Sequence, residues 1–307
     1  MRYLIAFILL LVPASSMAQL NVFACEPEWA ALTASLAGDQ ADIFTATTAL
    51  QNPHHIEARP SLIAKMRNAD LVVCSGAELE TGWLPLLLRT SSNPRVQLNQ
   101  PGYFEAAMQV ERLDIPTQID RSQGDVHSQG NPHVHLDPHR LLKIGAALSA
   151  RLQAIDAANA ALYAQRLQQW QQDFNVQLSQ WQQTAAPLRG KTVVVYHDNW
   201  KYLTEWLGLQ QIATIEPRPG IPPSGADQKR LLEKLSQTKP DFILVAAFED
   251  TKAADWLGDK LQVPVIILPF TVGGDKQSGD LIALFNRTLQ LLQKSQPTQS
   301  SSGQPAP

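Results

Sequence analysis

The pattern of Pro240-Asp241-Phe242-Ile243-Leu244-Val245 also occurs earlier in the chain, at Ala69-Asp70-Leu71-Val72-Val73. Each stretch follows a helix-length segment, places an acidic residue first and then runs into the apolar residues typical of a buried parallel strand. The helical part of the first unit begins at Pro60 and that of the second at Ala226. The repetition predicts the α/β class with two similar lobes, each a parallel sheet flanked by helices.

Short apolar runs recur along both halves of the chain and extend this pattern. Helix-length segments separate most of these runs, as the crossover connections between parallel strands require. The predicted strands are residues 20–24, 42–47, 71–75 and 95–98 in the first half, and 192–196, 211–215, 242–246 and 265–268 in the second.

Residues 137–188 contain no strand-like run and are rich in Ala, Leu and Gln. Asp137 followed by Pro138 is typical of a helix N-cap with proline at the first helical position. From Asp156 to about Thr184, apolar residues recur at spacings of three to five, which predicts a single helix. At about 1.5 Å per residue this helix would exceed roughly 40 Å and would join the two lobes rigidly.

The first 18 residues have the pattern of a secretory signal peptide. Arg2 supplies the positive end, residues 3–12 supply the apolar stretch, and Ser16-Met17-Ala18 is a small-x-small cleavage site. We therefore expect the mature protein in the periplasm. A lipid anchor at Cys25 is the alternative, because residues 22–25 loosely match a lipoprotein cleavage box.

Four segments are expected after the signal peptide. The last of them is rich in Pro, Ser, Gln and Gly and cannot bury enough apolar surface to fold. The segments are an N-terminal lobe of residues 19–136, a helical region of residues 137–188, a C-terminal lobe of residues 189–294 and a disordered tail of residues 295–307.

The composition excludes one class of partner. The 307 residues are 44% hydrophobic, enough for the cores of two lobes. Lys and Arg number 25 against 28 for Asp and Glu, so the net charge is only -3. A chain with so weak an electrostatic field is not expected to bind nucleic acid. We also expect the protein to be a monomer.

Two cysteines end two of the predicted strands. An oxidising compartment allows them to pair. If the strands are neighbours, Cys25 and Cys74 come within bridging distance at one edge of the sheet. A pair of buried free thiols is the alternative.

Three of the seven histidines form the main functional signal. His54 and His133 each follow Asn-Pro, in which proline restricts the backbone and stiffens the turn. His197 ends the apolar run that begins at Val193. Imidazoles that converge from separate chain segments are typical of a zinc site, so these three are the candidate ligands.

The other four histidines are weaker candidates for metal ligands. His135 lies two residues after His133 and would point the same way in an extended chain, which makes it a candidate auxiliary ligand. His127 belongs to a loop that could capture metal ahead of the main site. His55 would face away from its neighbour, and His139 lies in the first turn of a predicted helix, where we expect a solvated side chain.

The order and spacing of these motifs resemble those of the periplasmic metal receptors of ABC importers, the ZnuA/TroA-like family. The resemblance implies that zinc binds between the lobes at His54, His133 and His197 and passes to a membrane permease. A periplasmic zinc chaperone is a further candidate partner, and no catalytic residue is implied. The matching motifs are Asn52-Pro53-His54, Pro60-Ser61-Leu62, residues 69–80, Gly130-Asn131-Pro132-His133, Leu136-Asp137-Pro138, Tyr196-His197-Asp198 and Tyr202-Leu203.

The fourth ligand departs from the family pattern. A carboxylate commonly follows the last strand in that family, and here Asp275 is the nearest candidate, displaced by several residues. A water molecule or Glu249 is the alternative donor. Three neutral imidazoles suit zinc, whereas manganese sites rely more on carboxylate oxygen, so Zn²⁺ is the expected cargo.

Two other functions remain open at this point. A zinc-dependent hydrolase also holds its metal with three ligands and an open position, and Glu216 could serve as its general base. The rigid, proline-rich stretch that follows Glu216 instead favours a role in bracing the lobe interface. No His-Glu-x-x-His or Gly-x-Ser-x-Gly motif supports that class. The other alternative is a metal-binding adhesin or metallochaperone in which the zinc is structural.

Overall fold

The computed structural model describes residues 19–117 and 124–294. The predicted signal peptide, residues 1–18, and the predicted tail, residues 295–307, lie outside the described residues. Within the described part of the chain, no helix combines the length and apolar character needed to cross a membrane.

The N-terminal lobe is a parallel four-stranded sheet with the strand order β2-β1-β3-β4. Its central strands are the most apolar, and all four residues of β3 are buried. Its elements are β1 (Leu20–Ala24), α1 (Pro27–Ala37), β2 (Ala41–Thr45), α2 (Pro60–Asn68), β3 (Leu71–Cys74), α3 (Leu84–Ser91) and β4 (Tyr103–Glu105).

The predicted strand at residues 95–98 is wrong. Pro94–Val96 forms a 3₁₀ turn, because the Asn93 side chain accepts a hydrogen bond from the Arg95 backbone N–H at 3.1 Å. Proline at the start of the turn also lacks the N–H that a strand ladder needs. The fourth strand is instead Tyr103–Glu105, whose three residues are too few to show an alternating pattern.

Two long helices follow the first lobe: α4 (Pro138–Ile155) and α5 (Ala160–Ala185). Asp137 caps α4 as predicted, since its carboxylate accepts the His139 backbone N–H at 2.8 Å. The predicted long helix is confirmed, although it begins at Ala160 rather than Asp156. Asp156 instead accepts a hydrogen bond from the Tyr163 hydroxyl at 2.6 Å. The 26 residues of α5 span about 39 Å.

The C-terminal lobe repeats the architecture of the first. Its strand order is β6-β5-β7-β8, again parallel throughout, so the predicted similarity of the lobes is confirmed. Its elements are β5 (Thr192–Val195), α6 (Lys201–Leu207), β6 (Gln210–Thr214), α7 (Gly225–Leu235), β7 (Phe242–Ala246), α8 (Lys252–Leu261), β8 (Val265–Leu268) and α9 (Leu281–Lys294).

Helix α5 contacts both lobes. At its N-terminal half, Arg166 pairs with Asp39 at 2.6 Å in the first lobe. Towards its C-terminus, the Trp181 indole N–H donates to the Asn286 side chain of α9 at 2.7 Å. Trp181 also packs against Phe285, with ring centroids 4.9 Å apart. The helix therefore braces the lobes, as its apolar periodicity predicted.

A single hydrophobic core joins the lobes. One face of each sheet packs into this shared core together with α4 and α5, as shown by Val22 and Leu71 in one lobe and Val193 and Leu244 in the other. The opposite faces of the two sheets pack into separate, smaller cores. Because interiors of this kind are close-packed, a wide separation of the lobes would expose the shared core.

The two cysteines form a disulfide bond. Strands β1 and β3 are neighbours, with Ala24 opposite Val73, so Cys25 and Cys74 meet just beyond that pair. Their Cα atoms are 4.8 Å apart and both residues are fully buried. The structure thus contains the predicted bridge rather than two free thiols.

We predict that Gly145→Val lowers the free energy of unfolding by about 2 kcal/mol. A Cβ at Gly145 would lie 2.5 Å from the ring of buried Trp170, so the crossing of α4 and α5 would have to open. Gly225→Val is the matched control, because a Cβ at that exposed helix start meets nothing within 4 Å. Urea unfolding of both variants measures the difference, and equal stability would contradict the close packing.

Candidate metal centre

Two Asn-Pro-His turns present histidines in the same way. The Asn52 side-chain oxygen accepts the His54 backbone N–H at 3.0 Å, and that of Asn131 accepts the His133 N–H at 3.1 Å. The first turn is further fixed by the Trp83 indole, which donates to the Pro53 carbonyl at 2.9 Å. The asparagine side chains thus add to the stiffness that proline alone predicts.

His197 lies two residues beyond β5 and is held by a carboxylate. Its Nδ1 lies 2.7 Å from Oε2 of Glu216, which also accepts the Gly220 backbone N–H at 2.8 Å. From the sequence, Glu216 is a candidate general base or a residue that braces the lobe interface, and its contact with His197 is not predicted. Strand β6 ends at Thr214 beside β5, so the two residues meet at one sheet edge.

The structure brings His54, His133 and His197 together. One ligand atom from each lies within 4.8 Å of the others. Their ring centroids are 5.9 Å apart for His54 and His133, 5.7 Å for His54 and His197, and 6.5 Å for His133 and His197. His197 follows the first strand of the C-terminal lobe, whereas the other two precede α4, so the cluster lies between the lobes.

Two of these histidines favour the neutral form. Burial, together with the neighbouring imidazoles, holds the pKa of His54 well below its ordinary value, and the same causes lower the pKa of His133. Among the described residues, His54 Nε2 and His133 Nδ1 are buried without a hydrogen-bond partner. Neutral imidazoles with free nitrogen atoms are suited to a metal cation.

His197 behaves differently from the other two. Burial lowers its pKa, but the hydrogen bond and the negative charge of Glu216 offset that effect and leave the pKa above its ordinary value. A carboxylate on the far nitrogen is also the usual partner of a metal-bound histidine, because it fixes the ring and leaves the other nitrogen free.

A cavity of about 230 Å³ opens beside the cluster and is lined by His54, His133, His197, Glu216 and Glu249, among others. Burial raises the pKa of Glu249 to about 7. Both of its oxygens accept hydrogen bonds, one from the Ala246 backbone at 2.7 Å and one from the Asn199 side chain at 3.2 Å.

Asp275 does not join the cluster. Its carboxylate pairs with Arg287 and accepts the Gln277 backbone N–H at 2.9 Å. It is not among the groups of ligand atoms that lie within 4.8 Å of one another in the described residues. We therefore leave Asp275 out of the ligand set proposed below.

His135 connects the lobes instead of facing the cluster. Its Nε2 lies 3.0 Å from the Phe270 carbonyl, and its Nδ1 lies 3.3 Å from Oε1 of Glu28 on α1. The other oxygen of Glu28 accepts the Thr271 hydroxyl at 2.5 Å. The Nδ1 atom makes no hydrogen bond, but among the described residues His135 does not belong to the group of ligand atoms that lie within 4.8 Å of one another, so we leave it out of the proposed ligand set as well.

The three remaining histidines lie at different distances from the cluster. His127 is close, with its ring centroid 5.1 Å from that of His54. His55 is largely exposed and lies 3.7 Å from the Asp125 carboxylate. His139 is exposed at the start of α4.

Comparison with known proteins places this geometry in a family. Residues 22–295 match the family model described as ZnuA, zinc-uptake complex component A, periplasmic. The chain belongs to this family. The resemblance of its sequence motifs to those of the ZnuA/TroA-like receptors is thereby confirmed. As a family member the chain is a receptor rather than an enzyme, a metal-binding component of an ABC importer that works outside the cytoplasm with a membrane permease and an ATPase.

Individual members of the wider group differ in the metal that they are named for. The manganese ABC transporter substrate-binding lipoprotein PsaA of Streptococcus pneumoniae is 24% identical over 277 residues, covering 87% of this chain and 85% of PsaA. The zinc-binding lipoprotein AdcA of S. pneumoniae is 27% identical over 281 residues, covering 85% of this chain and 53% of AdcA.

The fold also matches solved structures. A crystal structure of ZnuA superposes with a TM-score of 0.74 at 18% identity and covers 90% of this chain and 99% of its own. That likeness supports the two-lobe architecture described above.

We predict that Glu216→Gln moves the pKa of His197 from above its ordinary value of 6.5 to below it. Without the Glu216 carboxylate, burial becomes the dominant effect on the ring and disfavours the charged form, opposed only by the smaller contributions of the Glu249 and Asp198 charges. NMR titration of the imidazole resonances in metal-free protein measures the change. Glu205→Gln is the charge-matched control, because Glu205 pairs with Arg140 at 3.1 Å. An unchanged His197 pKa in Glu216→Gln would show that the carboxylate does not set it.

Proposed function

We propose that this protein captures one Zn²⁺ between its lobes with His54, His133 and His197 and delivers it to an ABC importer. The observation that carries the proposal is the cluster itself, in which three largely buried imidazoles from separate segments have ligand atoms within 4.8 Å of one another. The carboxylate of Glu216 supports the third ligand at 2.7 Å.

The choice of zinc rests on the ligand chemistry. Nitrogen donors suit zinc, whereas manganese prefers sites richer in carboxylate oxygen. The carboxylates of Glu216 and Glu249, which line the cavity beside the cluster, already accept hydrogen bonds. Relatives at similar identity are named for manganese and for zinc, so the proposal depends on this donor set rather than on the relatives.

The site also favours transport over hydrolysis. The Glu216 carboxylate contacts His197 Nδ1 and accepts the Gly220 backbone N–H. Because these contacts occupy the carboxylate, it is not positioned to take a proton from a metal-bound water molecule. The fold does not need a zinc ion for its stability, since a shared core and a disulfide already hold this region. Reversible loading without unfolding is therefore part of the proposal.

Location and partners follow from the same proposal. The partner is the membrane permease of a zinc importer, and a periplasmic zinc chaperone remains a prediction. Relatives named as lipoproteins favour lipid anchoring in this group. In this chain, however, Cys25 is bonded to Cys74, so that its sulfur is not free to carry a lipid. We therefore propose the periplasm.

Metal exchange is proposed to occur through loop movement. The lobes share one core and are braced by α5, so a wide hinge opening would be unfavourable. The Asn-Pro-His turns are themselves stiff, so we propose that each moves as a unit on the loop segments that flank it, with a small tilt of the lobes, while the sheets stay in place.

We predict that the protein binds one zinc ion, and that His54→Ala, His133→Ala and His197→Ala each weaken binding by at least about tenfold, because each removes a ligand. Competition titration against a chromophoric chelator measures the affinity, and elemental analysis gives the stoichiometry. Manganese should compete poorly in the same assay.

His139→Ala serves as the control, since that exposed residue lies outside the cluster. Unchanged zinc affinity in all three cluster variants would contradict the ligand assignment. Preferential binding of manganese would contradict the choice of metal, and unfolding on chelation would favour a structural zinc.

A further inference from the structure

The turn that carries His133 is bonded to the C-terminal lobe, although it precedes α4 in the chain. The Tyr202 hydroxyl of α6 donates to the Asn131 backbone carbonyl at 2.7 Å and accepts the Leu113 backbone N–H at 3.0 Å. The Asn131 side chain also donates to the Asp198 backbone carbonyl at 3.0 Å. Two separate parts of the C-terminal lobe, α6 and the loop after β5, therefore hold this turn.

The Asn131 side chain connects two of the proposed ligands. Its oxygen accepts the His133 backbone N–H at 3.1 Å. Its nitrogen donates to the carbonyl of Asp198, which directly follows His197 in the chain. Because both ends of this buried amide have a partner, the side chain cannot turn away without breaking both hydrogen bonds. His133 and His197 are thus linked through one side chain and one backbone carbonyl.

His54 is held from the other lobe. The Trp83 indole, just before α3, donates to the Pro53 carbonyl at 2.9 Å. The loop before α3 also packs closely on this turn, since a Cβ at Gly82 would lie 3.0 Å from the His54 carbonyl. These contacts tie His54 to the N-terminal lobe, so the hydrogen bonds of the two Asn-Pro-His turns lead to different lobes.

Tyr202 is itself firmly held. Its side chain is fully buried, and the Arg140 guanidinium lies over its ring at 4.7 Å from the centroid. Arg140 also pairs at 3.1 Å with Glu205, one turn further along α6. Because the ring is fixed in this way, the hydroxyl cannot follow the His133 turn if that turn leaves α6. Such a separation would break both hydrogen bonds of the hydroxyl away from bulk water, which is unfavourable.

We propose that Tyr202 is a positioning residue for zinc binding, which fixes His133 to the C-terminal lobe beside His197. This inference rests on the proposed function and assigns two of its three ligands to one moving unit. When the lobes tilt, His133 and His197 keep their spacing, and only the distance from this pair to His54 changes. Metal release then begins with the loss of His54.

A double-mutant cycle with Tyr202→Phe tests the proposal. This change removes the hydroxyl and keeps the ring beneath Arg140, and we expect zinc affinity to fall by about two- to tenfold, as for the loss of one hydrogen bond. The reduction should vanish in a His133→Ala background and persist in a His54→Ala background, because Tyr202 acts through His133 alone. Competition against a chromophoric chelator measures all of these affinities.

Tyr163→Phe is the matched control. Tyr163 is also fully buried, and its hydroxyl donates to Asp156 at 2.6 Å, but it lies on α5 outside the histidine cluster. Urea unfolding should show a similar loss of stability in both tyrosine variants, whereas only Tyr202→Phe should bind zinc more weakly. Equal zinc affinities in the two variants would assign Tyr202 a structural role alone and overturn the proposal.

The remaining outcomes separate the proposal from the proposed function. Wild-type affinity in Tyr202→Phe, together with weakened binding in His133→Ala, would overturn the positioning role and leave the proposed function in place. An equal reduction by Tyr202→Phe in the wild-type, His133→Ala and His54→Ala backgrounds would also overturn it. Unchanged affinity in the His54, His133 and His197 variants would instead contradict the proposed function.

A measurement on the wild-type protein decides the question if Tyr202→Phe does not fold. The Leu113 backbone N–H has the Tyr202 hydroxyl as its acceptor. Its hydrogen exchange, followed by NMR in metal-free protein, should therefore be slow and should stay slow when zinc is added. Exchange at the rate of a free amide would show that the turn is not held by α6 and would overturn the proposal.

Discussion

The hydrophobic core that both lobes share around α5 holds the two sheets in one fixed arrangement. Each sheet contributes one face to this core, and the helix brings Arg166 to one lobe and Trp181 to the other. The buried contacts of His135 with Phe270 and of Glu28 with Thr271 add polar links between the lobes. Because these contacts fix the lobes relative to each other, the histidines that face the gap are held close together before any metal binds.

This arrangement accounts for the chemistry of the site. Burial keeps the pKa values of His54 and His133 low, so that their nitrogens are available as neutral donors. Glu216 holds His197 in position and makes that ring the more basic of the three. One carboxylate therefore acts on the site through a histidine, which fits a nitrogen-rich site and separates this donor set from the oxygen-rich sites that manganese prefers.

Local patterns predicted most of the fold. Apolar runs ending in Cys25, Cys74 and His197 correspond to strands β1, β3 and β5, and the Asp137 cap marked the start of α4. Strand β4 was misplaced because its three residues carry too short a pattern, while Asn93 and Pro94 form a turn that the composition alone did not reveal. Propensity fails where a few local hydrogen bonds decide the conformation.

The site was less fully predictable than the fold. The repeated Asn-Pro-His turns identified His54 and His133, but the contact of Glu216 with His197 depends on the pairing of β5 with β6, which spacing along the chain does not fix. The spacing of His135, two residues after His133, suggests a metal ligand. Its ring instead contacts Glu28 and Phe270, which are far apart in sequence. Only tertiary packing shows which nitrogen of each imidazole is free to bind a metal.

Pulsed electron paramagnetic resonance between spin labels on the two lobes tests whether the site is preformed. Spin labels at Ala34→Cys on α1 and Lys229→Cys on α7, both exposed positions, report the distance between the lobes while the native disulfide stays intact. We predict that the distance distribution keeps its position when zinc is added to metal-free protein. A shift to shorter distances on loading would show a hinged clamp, and would contradict the rigid connection through α5 and the shared core.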